Sequence, residues 1–225
     1  MNVRTPKFEF ELKKTSSAPN SKAYILEQFM IISKTAKTIS ILTPTGFIYR
    51  VLRRCLPKKD AFSVSWAFDQ AFLFIAIALI AAHILSDYLC TNTRQYFVYF
   101  SIIQISRCIE IPFGFFSDLM DKIHEDTISQ ASGTGKRMAL SIIVYFEIIL
   151  NYSLIYSLLS AEQWNLKLAL SMLDSMYFSV ITMATLGYGD ISPAGAMAKL
   201  LTMSEVMTSL IIIAISFTIY AGSKK

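Results

Sequence analysis

Four apolar blocks, Ala67–Leu85, Tyr96–Phe116, Met138–Leu159 and Leu200–Tyr220, dominate this chain of 225 residues. A hydrocarbon core ~30 Å thick takes roughly 20 residues of helix to cross, and each block reaches or approaches that length. Inside lipid a helix satisfies its own backbone hydrogen bonds, which an open strand cannot do. The composition points the same way: 54% of residues are apolar and 16% charged, against about 25% charged in an ordinary water-soluble domain. The expected fold is therefore an all-α integral membrane protein, and a soluble domain is excluded.

Between the last two blocks lies Thr185-Leu186-Gly187-Tyr188-Gly189-Asp190. Two glycines spaced by one residue allow backbone angles that other residues resist. Successive carbonyls of Thr185, Leu186, Gly187 and Tyr188 can then be turned toward one axis. Such an oxygen ladder, replacing the water shell of a dehydrated cation, is the known basis of K⁺ selectivity.

Residues 172–221 resemble the pore domain of the tetrameric potassium channels, in the order pore helix, filter, inner helix. The likeness is to the bacterial-type two-helix pore, here with two additional N-terminal spans. It implies a homotetramer in which each chain joins three identical subunits, and a passive K⁺-selective channel with no cofactor other than the permeant K⁺. Thr185, Leu186, Gly187, Tyr188 and Gly189 would form the filter, with K⁺ held at the first four. Asp190, repeated around the axis, would make an acidic outer mouth that concentrates cations. Leu173–Ala184 is the expected pore helix, its C-terminal dipole end favouring a cation in the cavity.

The resemblance also implies roles for neighbouring residues. Tyr177 and Phe178 stand where the family often carries an aromatic pair, and the Tyr177 hydroxyl is placed to bond Asp190 and support the filter. Ile181 replaces an acidic residue that some members have in the pore helix. Glu205 is expected to pair behind the filter. The inner helix, from about Ala196 to Ala221, has Ser209 where the family usually has a hinge glycine. Leu210, Ile213, Phe217 and Ala221 recur at helical spacing as pore lining, with Phe217 the candidate apolar gate.

Charge sets the topology. Residues 1–60 hold 12 Lys/Arg against 4 Asp/Glu, and 61–225 hold 9 against 12. A basic block beside the first span keeps the N-terminus in the cytoplasm. The filter must face outward, so the helix starting at Met138 begins inside, and residues 65–118 must cross twice. Four transmembrane helices plus a re-entrant pore helix result, multi-pass in the cell membrane, with both termini cytoplasmic. On that topology 17 of 21 Lys/Arg lie inside. Three regions follow: a basic cytoplasmic region 1–60, a two-span module 61–135 and the pore domain 136–225.

Within region 1–60, Ala23–Ile41 has the period of an amphipathic interfacial helix, which Pro44 and Gly46 are expected to break. Tyr49–Lys59 forms a basic collar suited to anionic lipid. Topology and lipid account for this charge, so nucleic acid is not expected as a partner. The stretch before Ile25 is polar and charged and lacks the apolar core of a signal peptide. Only Gly222–Lys225 follow the inner helix, which places gating in the filter, the inner helix or the N-terminal half.

Charges inside the membrane need partners. Arg107 lies 13 residues past Arg94 and Glu147 lies 10 past Arg137, or about 20 Å down and about 15 Å up at about 1.5 Å per residue. The similar depths predict an Arg107–Glu147 ion pair, with Glu110 and Asp118 as further partners. One arginine is too few for a voltage sensor of regularly spaced cations. Ala131–Arg137 lacks the upstream Gly and the Ser/Thr of a phosphate loop.

Of the cysteines, Cys55, Cys90 and Cys108 fall at different depths, and Cys90 alone is placed to cross-link subunits. Neither His83 nor His124 has a catalytic neighbour, and no enzyme is expected. The alternative function is a weakly selective cation channel, or a pore subunit that needs a partner for gating.

Overall fold

The computed structural model describes residues 31–56 except 33, 37, 40 and 41, then 61–89, 94–124 and 134–222; the side chains of 61, 62, 87, 94–96, 117–124, 134–137 and 217–222 are outside that description. Six helices account for most of it: α1 Pro44–Cys55, α2 Ala61–Tyr88, α3 Arg94–His124, α4 Thr134–Ser157, α5 Met172–Met183 and α6 Ala196–Gly222, with a short 3-10 turn at Ala161–Gln163.

Three of these helices are long and apolar enough to cross a membrane, over Ser63–Ser86, Met138–Ser157 and Ala196–Ser216. The second expected span lies within α3, whose 31 residues include Arg107, Glu110 and an internal Pro112. A helix of that length suffices to cross, but its composition falls short of the other three. Pro112 removes one backbone hydrogen bond without ending the helix.

The expected break is present as a bend at Thr43, and Pro44 also starts a new helix. Thr43 is the N-cap, its hydroxyl accepting from Gly46 N at 3.1 Å. Proline at the first helical position loses nothing, because that N–H has no helical partner. Much of Ala23–Ile41 lies outside the described residues; 31, 32, 34–36, 38 and 39 are helical. Cys90, the side chain of Asp118 and the segment 131–133 also lie outside them.

The centre of the bundle is α4, which packs against α2, α3, α5 and α6. Its apolar contacts include Val144, Ile148, Tyr152 and Tyr156, packed with Trp164, Phe178 and Ile212. Lipid supplies no hydrophobic drive between helices, so small and hydroxylated residues that allow close approach hold them together. Accordingly Ser141, Ser153, Ser175, Ser179, Thr208 and Ser209 are all buried.

Candidate functional site: a carbonyl ladder and its support

The expected pore helix, α5, is capped by Ser171, whose hydroxyl accepts from Asp174 N at 3.1 Å and donates to Asp174 Oδ2 at 2.8 Å. A capping hydroxyl with an acidic residue in the first turn stabilises this end through backbone satisfaction and the helix dipole. The helix runs Met172–Met183, shifted by one position from the expected bounds at each end, and closes at Ala184.

The hexapeptide then leaves helical geometry in a regular way. Thr185, Gly187 and Gly189 have φ of 57°, 52° and 83°. Left-handed conformations at every second residue turn successive peptide planes. For the two glycines this costs little; for Thr185, β-branched, it is an outlier and stores roughly 1–3 kcal/mol of strain. The amides are tied back: Thr185 N donates to Thr182 O at 3.0 Å, and Leu186 N and Gly187 N donate to Ile181 O at 2.8 and 3.3 Å. The backbone is thereby held by its donors, leaving carbonyls for other use. All of 185–190 is exposed in the single chain, Tyr188 at 68%.

The outer end is fastened by a strap the sequence does not announce. Asn165 Nδ2 donates to Asp190 O at 3.2 Å, and its Oδ1 accepts from Ser192 N at 2.9 Å. Gln163 O accepts from Ala194 N and Gly195 N, at 2.8 and 3.1 Å. A Cβ on Gly195 would overlap the end of the Gln163 side chain, which would have to move aside. No periodicity or motif marks Gln163 and Asn165, since their partners lie far along the chain, beyond the whole pore helix and filter.

Behind the ladder, Tyr177 OH donates to Asp190 Oδ2 at 2.7 Å. That bond holds the Asp190 carboxyl below the usual carboxylate range, partial desolvation acting in the opposite sense. Phe178 faces inward instead, edge-on to Tyr156 and Trp164 with centroids 5.1 Å from each. Glu205, fully buried, accepts from Tyr156 OH at 2.7 Å and from Ser179 Oγ. One carboxylate thus joins α4, α5 and α6. Ile181, at the position without an acid, is buried among apolar residues.

On α6, Ser209 is buried and donates to Met183 O at 2.7 Å. Leu210 and Ile213, on the same helix, are exposed, each 49% accessible. The side chains of Phe217 and Ala221 lie outside the described residues.

A second polar centre lies where α2, α3 and α4 meet. Arg107 Nε and Nη2 donate to Glu147 at 2.7 and 2.9 Å, Nη1 to Glu110 at 3.0 Å and Nη2 to Asp69 at 2.8 Å. Its guanidinium also faces Phe68 and Phe72, 5.1 and 4.8 Å from their centroids. Asp69, on a different helix and 38 positions away, is a partner that the depth argument does not reach.

These features of α4–α6 have counterparts in known proteins. Residues 139–222 match the family model described as an ion channel. Over those residues the chain is similar to an ion-channel domain. It is 35% identical over 79 residues to the voltage-gated potassium channel Kch of Escherichia coli (strain K12), covering 35% of this chain and 19% of that protein. It is 37% identical over 49 residues to the two-pore potassium channel 2 of Arabidopsis thaliana, covering 22% of this chain and 11% of that protein. The chain therefore spans only a small part of the relatives it matches. No solved structure matches it. Both of these relatives are potassium channels and neither is an enzyme, and each likeness covers about a third of this chain or less.

Proposed function

We propose that the chain is one subunit of a homotetrameric, passive K⁺-selective channel of the cell membrane, with four spans per subunit and cytoplasmic termini. The observation that carries this reading is the left-handed alternation at Thr185, Gly187 and Gly189. It leaves the carbonyls of 185–188 available while the amides are bonded to the pore helix. Four such ladders around one axis would supply rings of oxygens for a dehydrated K⁺. One ladder alone cannot enclose an ion, and the exposure of residues 185–190 in the single chain fits an axis shared with three copies.

In this reading Tyr177, Asn165 and Glu205 keep the ladder from collapsing or splaying. Asp190 collects cations at the outer mouth, and the accessible stripe at Leu210 and Ile213 lines the path below. Because α3 carries a single arginine among its described side chains, already bound by three carboxylates, voltage is not the expected stimulus.

Uptake of ⁸⁶Rb⁺ into proteoliposomes loaded with KCl tests this reading. Uptake that external Ba²⁺ blocks, and that Gly187→Ala abolishes in a correctly assembled protein, supports it. Uptake equal in Gly187→Ala would contradict it.

A further inference from the structure

The helix α1 presents three distinct faces. One is seated on the bundle: Thr45 N and Oγ1 lie 3.2 and 2.7 Å from Ser106 Oγ, and Tyr49 packs edge-on to Phe68 with centroids 5.4 Å apart. Both contacts adjoin Arg107, so the seat is at the polar centre joining α2, α3 and α4. The second face carries Phe47, Ile48, Val51 and Leu52, exposed by 61, 46, 42 and 38%. At about 100° per residue these four fall within about 140° of arc. The third holds Arg50, Arg53 and Arg54, with Arg54 exposed, Arg50 half-exposed and no acidic residue anywhere in α1.

An apolar arc flanked by cations on a short helix fixed to a membrane protein has one well-matched environment: the headgroup boundary of an anionic leaflet. Its acyl side covers the apolar arc, and its phosphates match the planar guanidinium donors. A soluble partner would leave one of those two faces without a complement, whereas an anionic lipid surface covers both. The seat on Ser106 and Phe68 keeps the apolar arc pointing away from the protein.

We infer that α1 is a docking surface for anionic phospholipid, the headgroups held at Arg50 and Arg54 and the acyl boundary against Phe47, Ile48, Val51 and Leu52. This deepens the membrane-channel reading but does not depend on conduction.

The test uses the full chain carrying Cys90→Ser. Cys55, exposed at the end of α1, takes a fluorophore, while Cys108 is buried. Reconstitution into phosphatidylcholine vesicles with trace spin-labelled phosphatidylglycerol, or trace spin-labelled phosphatidylcholine, gives a ratio of quenching by the two lipids. The expected ratio is well above one, falling about fivefold for each arginine neutralised in Arg50→Gln and Arg50→Gln/Arg54→Gln until it nears one. Equal quenching by both lipids in the unsubstituted helix would overturn the proposal. Failure of either lipid to quench would also overturn it, because the face would then be covered by protein. Rb⁺ uptake measured on the same vesicles separates the two readings: loss of uptake in every lipid counts against the pore, and the quenching ratio still decides α1.

Discussion

Ser209 of α6 donates a hydrogen bond to the carbonyl of Met183, the last residue of α5, at 2.7 Å. The carbonyls at a helix end have no partner within the helix, so a buried end needs a donor from elsewhere. Ser209 supplies it, from the position where the resemblance leads one to expect a hinge glycine. Ser209 thus ties α6 to the C-terminal end of α5, just before the Thr185–Asp190 segment.

Removing that donor should loosen the junction. Ser209→Ala leaves the Met183 carbonyl buried without its partner, at a cost of about 1–3 kcal/mol. Thermal unfolding of the detergent-purified assembly should show a lower midpoint. Ser209→Gly should lower it further through added backbone freedom and raise open probability in single-channel records. Unchanged midpoints for both substitutions would refute this role.

The charge centre predicts an asymmetry. Arg107 is ringed by Asp69, Glu110 and Glu147, so Arg107→Gln strands three buried acids and should cost about 3–5 kcal/mol. Glu147→Gln keeps Asp69 and Glu110 opposite the cation and should cost clearly less. Size-exclusion profiles after heating would rank the two; equal losses would argue against the network acting as a unit.

Asp190 predicts a pH dependence. Its carboxyl titrates below the ordinary range because Tyr177 donates to it. A depressed folded value means that the stabilisation is present above the unfolded carboxylate value and is lost as pH falls through the lower, folded one. The acidic outer mouth should therefore keep its charge, and inward K⁺ conductance its size, to pH values below about 3.9. In Tyr177→Phe the fall in conductance should begin at higher pH. Single-channel amplitude against external pH measures this, and coincident profiles would remove Tyr177 from the account.

What the sequence disclosed, and what it did not, follows from how far each signal reaches. Apolar blocks and the glycine spacing are local, so the helix before the Thr185–Asp190 segment was legible to within one position at each end, and three spanning helices were legible with bounds several residues off, the expected second span falling short of the other three in composition. Depth counting along helices sets Arg107 level with Glu147, but it says nothing about rotation, so Asp69 on α2 was not legible. The break before Pro44 was legible from the proline, whereas the new helix that Pro44 begins was not, because it rests on the Thr43 cap. The strap from Gln163 and Asn165 to 190–195 pairs side chain and backbone across the full length of the pore helix and filter, with no periodic trace. The left-handed φ of Thr185 was not legible, since it accompanies the bonds that the amides of 185–187 make to the carbonyls of Ile181 and Thr182.

The central claim is that residues 185–189 select K⁺. Reversal potential in planar bilayers, with K⁺ on one side and Na⁺ on the other, tests it most directly. The account predicts reversal far toward the K⁺ equilibrium value, moving about 59 mV for each tenfold change in K⁺ gradient and abolished with the current by Ba²⁺. A reversal near zero under the same gradient would contradict it.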